Sequence, residues 1–152
     1  MKNFDDAPFL VIWELTQACD LACVHCRAGA VSERNPFELT TEEGSRLLET
    51  VRSFGDPQMV VTGGDPLKRP DLFPLLVRSI SLGLRTAIAP SATPLLNEGA
   101  IEGFLRCGVA RMAISLDCPD AASHDGFRRV GGSSLAPCSG LNTPVRLVWR
   151  RR

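Results

Sequence analysis

The sequence predicts an α/β fold of about four parallel strands with outer helices, ending in an irregular tail. Three observations carry this reading. Short runs rich in β-branched and aromatic residues alternate with amphipathic stretches of helical period. Strands separated by helices need crossover connections and therefore run parallel. The groups with chemical character, ACDLACVHC, TGGDP and SLDCPD, all lie at the carboxyl end of a strand candidate, where α/β sheets gather their reactive residues.

The elements follow in order. FLVIWELT (9–16) is a strand by composition and runs straight into the first cysteines. In LTTEEGSRLLETVRSFG, Thr40 stands three residues before Glu43 as a capping box. Leu47, Leu48 and Val51 share one face, and Gly55 supplies the stop, so a helix is expected here. MVVTGG (59–64) reads as a short buried strand ending in a glycine turn, and DLFPLLVRSISLG (71–83) as a helix closed by Gly83. RTAIAPSA (85–92) is a third strand weakened by Pro90. LLNEGAIEGFLRCG (95–108) is a third helix with Leu96, Ile101, Phe104 and Leu105 as its apolar positions. ARMAISLD (110–117) is the fourth strand.

After Val130 the pattern stops. GGSSLAPCSGLNTPVRLVWRRR has no helical period and many turn formers, and residues 133–152 contain four Arg and no acid. We therefore expect a core over 1–132 and an irregular basic tail over 133–152, a change of the kind that a reading frame lost near Gly132 or Ser133 would produce. A complete miniature protein is the other reading. A sheet left unfinished in this way would expose a strand edge and an apolar face, favouring insolubility or pairing with another chain.

The chain has 152 residues, 44% hydrophobic and 22% charged, enough for one globular domain. No apolar run reaches the roughly 18 to 20 residues of a membrane span, and the start MKNFDD lacks the layout of a secretory signal. The expectation is a cytoplasmic protein with no membrane partner. The first 132 residues hold 13 basic and 17 acidic side chains, which gives no electrostatic reason to expect nucleic acid. The basic tail reads as solvated charge.

Six cysteines would permit disulfides, but three of them, Cys19, Cys23 and Cys26, crowd into one segment. A structural zinc site wants four protein ligands. His25 is an awkward fourth because it adjoins Cys26. A cubane [4Fe-4S] cluster is held by thiolates at separate irons, so three thiols leave one iron open to a small molecule. A cluster fits better than zinc, and packing or disulfide use is the remaining alternative.

With CxxxCxxC after the first strand and a glycine turn after the next, the chain resembles the radical S-adenosylmethionine (radical SAM) enzymes, and the fold class becomes a partial radical SAM barrel. The resemblance implies that Cys19, Cys23 and Cys26 bind the [4Fe-4S] cluster and that S-adenosylmethionine occupies the fourth iron. It further implies reductive cleavage of that cofactor to a 5′-deoxyadenosyl radical, which abstracts hydrogen from the substrate. His25, at a position often aromatic in the family, would lie near the adenine; an ordinary loop histidine is the alternative. TGGDPLKRPDL matches the family's Gly-Gly-Glu-Pro turn, so Gly63, Gly64 and Asp65 are expected at the methionyl ammonium. Glycines suit close approach of backbone to a ligand. Asp65 replaces the common Glu, keeping the charge with a shorter reach. SLD resembles the family's fourth strand, where a serine contacts the cofactor, which assigns Ser115. Together these stretches look most like the branch containing haem-biosynthesis, haem d1 and peptide-modifying enzymes, over roughly residues 9–132. That branch implies an electron donor such as a flavodoxin or ferredoxin and a tetrapyrrole-type, peptide or other small-molecule substrate. The family core has about six βα units, against four here.

Other residues receive bulk readings. Period-two alternation puts Ala113, Ser115 and Asp117 on the interior face and Met112, Ile114, Leu116 and Cys118 towards the helices. Cys118 is then a packed small hydrophobe, and Asp117 is favoured as a helix cap over a substrate contact. Glu14 shares a face with Ile12 and Thr16 and would project into the barrel, where a carboxylate requires a partner. Ser91 reads as a turn serine, and Cys107 and Cys138 have no assigned role.

Overall fold

A computed structural model describes residues 7–134. Four strands, β1 (Leu10–Glu14), β2 (Gln58–Thr62), β3 (Arg85–Ile88) and β4 (Arg111–Met112), form one parallel sheet in the order β1-β2-β3-β4. The helices among the described residues are α1 (Thr41–Ser53), α2 (Leu72–Ser81), α3 (Glu98–Cys107) and α4 (Ala121–Arg128), with a 3₁₀ turn at Pro66–Lys68. The expected alternation is present. The tail from 135 onward, with Cys138 and the basic end, lies outside the described residues, and so does most of the segment expected to be out of frame.

Register explains the two faces. Trp13, Val61, Ile88 and Met112 form one row across the sheet, and Ile12, Val60, Ala87 and Arg111 the next. The first row lies on the helix side: Val61, Ile88 and Met112 join Leu48, Leu72, Leu75, Leu76, Ile101 and Phe104 in one buried core, against which Trp13 packs. The second row lies on the face without helices, and there Ile12 is 55% exposed, so the interior face of the incomplete barrel is open among the described residues. Glu14, on that face, is paired with Arg27.

Both α1 and α3 carry side-chain caps at their starts, and α3 ends in a glycine stop. Thr40 and Glu43 form the reciprocal capping box of α1, Asn97 accepts from the Ala100 N–H at the start of α3, and Gly108 ends α3 in the left-handed region at φ 84°. Three expectations change. β4 has two residues and not eight: Ala113 N–H still bonds the Ile88 carbonyl, and Ile114 is still buried, but beyond it Leu116 is 48% exposed. Alternation therefore stops short of Cys118, which is half-buried outside any strand. Leu105, predicted for the apolar face of α3, is 57% exposed, because Ile101 and Phe104 already cover the sheet there. Asp117 does not cap α4; Asp120 does, accepting from the Ser123 N–H, while Asp117 pairs with Arg128.

Candidate functional site

All strands run the same way, so their carboxyl ends bring four segments together: the cysteine loop after β1, Gly63–Asp65 after β2, Ser91–Thr93 after β3, and Ser115–Asp117 after β4.

The cysteine loop is closed on itself. Cys19 N–H donates to the Val31 carbonyl and Val31 N–H to the Gln17 carbonyl. The Thr16 hydroxyl accepts from the Ala18 N–H and donates to Glu38 at 2.5 Å. Cys19 is buried, Cys23 half-buried and Cys26 exposed, and each sulfur lies within reach of at least one N–H donor. Leu21 N–H lies 3.4 Å from Cys19 Sγ, Arg128 Nη1 3.6 Å from Cys23 Sγ, and Ala30 N–H 3.3 Å from Cys26 Sγ. Burial pushes the Cys19 thiol up, and the nearby Asp65 and Cys23 charges add to this against the hydrogen bonds with Ser91 and the Leu21 N–H. Unliganded Cys19 is thus a thiol at neutral pH, and metal binding would release its proton.

The glycine turn packs onto this loop. Gly64 N–H donates to the Thr16 carbonyl at 2.7 Å and Asp65 N–H to the Ala18 carbonyl at 2.6 Å. A Cβ on Gly63 would stand 2.5 Å from the Thr16 oxygen, and one on Gly64 2.5 Å from the Ala18 oxygen. Glycine is required here because the backbone of β2's turn touches the backbone of the cysteine loop. The reason visible in the fold is thus close packing of backbone on backbone, whereas the expectation from sequence was approach to a ligand.

Asp65 is fully buried and serves as a hub. One oxygen accepts from the Leu67 and Ser91 N–H groups, the other from the Thr93 hydroxyl at 2.7 Å. Desolvation raises its carboxyl above the ordinary value despite these donors. Its side chain therefore ties the turn to the end of β3. Ser91, read from sequence as a turn serine, donates to the Gly64 carbonyl at 2.8 Å and lies 3.4 Å from Cys19 Sγ.

His25 stacks on Phe127 with ring centroids 4.4 Å apart, and its Nε2 is 3.8 Å from Asp117. Ser115 is exposed, and its carbonyl accepts from Arg128. Arg128, Phe127 and Thr93 were not singled out from sequence. An Arg in the last turn of a helix ordinarily reads as a complement to the helix dipole, and no local pattern shows that it reaches a cysteine 105 residues away. Arg69 was also missed. It is 2% exposed and holds the Leu15 and Leu39 carbonyls as well as both oxygens of Asp71, bracing the loop's departure from β1.

Among the described residues no three His, Cys, Asp or Glu side chains converge on one ion. A single zinc ion needs such convergence, whereas thiolates on a cubane each take a different iron. Three thiols at one strand end, each supplied with a hydrogen-bond donor of the kind that supports cluster thiolates, fit an iron–sulfur group.

Fold and site together define a barrel-type α/β protein with a three-thiol loop at its carboxyl strand ends. The family model of the radical SAM superfamily matches residues 13–134, and the chain belongs to that superfamily, whose cofactors are a [4Fe-4S] cluster and S-adenosylmethionine. It is 43% identical over 124 residues to the AdoMet-dependent heme synthase of Oleidesulfovibrio alaskensis, covering 82% of this chain and 32% of that protein. It is 32% identical over 143 residues to the PqqA peptide cyclase of Granulibacter bethesdensis, covering 94% of this chain and 37% of that one. The crystal structure of Streptococcus suis SuiB bound to precursor peptide SuiA superposes with a TM-score of 0.72 at 20% identity, over 86% of this chain and 29% of SuiB. The chain thus spans about a third of the length of these relatives. Among the described residues, no helix is long and apolar enough to cross a membrane.

Proposed function

We propose that this chain carries the cluster-binding and cofactor-binding part of a radical SAM enzyme. Cys19, Cys23 and Cys26 would hold the [4Fe-4S] cluster. Gly63, Gly64 and Asp65 would form the wall against which the methionyl end of S-adenosylmethionine rests, with Ser115 and His25 on the far side. The observation that carries this reading is the CxxxCxxC loop with an N–H donor at each sulfur, locked to the Gly63–Asp65 turn by two backbone hydrogen bonds. When bound, the two cofactors would supply one-electron cleavage of the sulfonium carbon–sulfur bond, giving methionine and a 5′-deoxyadenosyl radical that takes hydrogen from the substrate.

This chain's own residues do the positioning. The Thr16, Val31 and Gly64 bonds hold the loop before any ligand arrives, and Asp65, Ser91 and Thr93 fix the turn against β3. The 43% identity to a heme synthase supports a tetrapyrrole-type substrate, and likeness to a peptide cyclase over 94% of the chain supports a peptide as the second reading. An electron donor of the flavodoxin or ferredoxin class completes the system.

The test is anaerobic reconstitution with iron and sulfide, then dithionite and S-adenosylmethionine. A brown protein that releases 5′-deoxyadenosine supports the proposal, and colour should be lost in C19A, C23A and C26A. A chain that binds iron but releases no 5′-deoxyadenosine is a non-catalytic iron–sulfur module, and the enzymatic half of the proposal then fails.

A further inference from the structure

α4 is fastened to the cysteine loop from below. The carbonyls of its last turn, which have no partner within a helix, accept from the loop: Val24 N–H donates to Phe127 at 3.0 Å and Ala22 N–H to Arg128 at 3.2 Å. Arg129 takes the left-handed conformation at φ 56° and ends the helix there. The Arg128 side chain then turns back under the loop, 8% exposed. Its Nη2 lies 2.5 Å from Asp117 Oδ2 and 3.3 Å from the Ser115 carbonyl, and its Nη1 donates to Cys23 Sγ at 3.6 Å.

Two features exceed what a structural ion pair needs. One is the donor placed on a cysteine sulfur. The other is Nε, a buried donor with no acceptor among the described residues. Buried donors are rarely left so, and such a donor ordinarily bonds a water or an ion.

We propose that Arg128 is a positioning residue for the cluster, holding the Cys23 thiolate and raising the cluster's reduction potential as the cation beside it. The inference rests on Cys23 being a cluster ligand, as argued above. Reduction adds one electron and one negative charge to the cluster. A neighbouring cation and a hydrogen bond to a ligand sulfur both favour that charge, and both are established influences on cluster potential. Asp117 opposes the effect in part, since it neutralises the same guanidinium.

The experiment is an anaerobic redox titration of the reconstituted full chain, followed by electron paramagnetic resonance, for the wild type and the variants R128Q, R128K and D117N. Iron and sulfide content and helical circular dichroism are measured on each. R128Q should move the midpoint to more negative potential by at least a tenfold change in the reduction equilibrium, which is about 59 mV for one electron. R128K should recover part of the shift, because it keeps the charge and loses the fork. D117N should move the midpoint the other way. If R128Q loses its helical signal, R128K decides: a loaded R128K with a midpoint below wild type supports the proposal and one with the wild-type midpoint overturns it. A wild-type chain that takes up no cluster overturns the functional reading and this inference with it. Loaded variants with the wild-type potential overturn this inference alone.

Discussion

Cys19 Sγ lies 3.4 Å from the hydroxyl of Ser91, a residue 72 positions further along the chain, and that hydroxyl also donates to the Gly64 carbonyl. One side chain at the end of β3 thus joins the thiol loop after β1 to the glycine turn after β2. S91A should cost about 1 kcal/mol by urea unfolding, the ordinary net worth of a hydrogen bond. It should also hasten iron loss to a chelator while leaving the circular dichroism unchanged. Iron retention equal to wild type would remove Ser91 from the site.

Gly64 and Gly126 offer a paired test of steric need. A Cβ on Gly64 meets two backbone oxygens of the cysteine loop at 2.5 and 2.6 Å, whereas one on Gly126 in α4 meets nothing within 4 Å. G64A should destabilise by about 3 kcal/mol, since backbone cannot rotate away as a side chain can. G126A should stabilise by about 1 kcal/mol through helix propensity. Thermal denaturation of both variants reads the contrast, and a benign G64A would mean that the turn is looser than its hydrogen bonds imply.

Arg69 and Asp71 predict an acid limb. The guanidinium of Arg69 and the Thr41 hydroxyl hold the Asp71 carboxyl down to about 2, from an ordinary 3.8. A depressed folded-state value contributes stability that is present above the unfolded value and is lost as pH falls through the folded one. Wild type should therefore lose this contribution between about pH 4 and pH 2, and D71N should lack that part of the slope. Urea midpoints from pH 5 to pH 2 measure it. R69M should be the more damaging change, about 3 kcal/mol, because it removes the cation from a buried network and also strands the Leu15 and Leu39 carbonyls.

Phe127 stacks on His25 at 4.4 Å, the contact that fixes the outer part of the cysteine loop on α4. F127L keeps apolar bulk and loses the ring, so its cost should be near the stacking contribution, about 1 kcal/mol. Hydrogen exchange should locate that loss at the Val24 amide, which bonds the Phe127 carbonyl. Faster exchange spread evenly over the chain would instead show a general weakening of α4.

Much of this was legible in one dimension because the signals are local. The Thr40–Glu43 box, the glycine after α3, the β-branched runs and the CxxxCxxC spacing each act within a few residues of themselves. Where the expectations slipped, distant partners decided. Alternation carried β4 to residue 117, but a strand needs a neighbour to bond, and the register with β3 extends only to Met112. Asp117 had the chemistry of a cap, yet Asp120 stood nearer the helix start and Arg128 took Asp117.

The sequence by itself determined that three thiols sit in one loop at the end of a parallel strand, that a two-glycine turn follows the next strand, and that strands and helices alternate through the described residues. Only the tertiary structure decided what supports them. Arg128, Ser91, Thr93 and Arg69 are ordinary residues at ordinary places in the chain. They become part of the site because a parallel sheet brings all its carboxyl ends to one edge, where side chains separated by 28 to 105 residues meet at hydrogen-bonding distance.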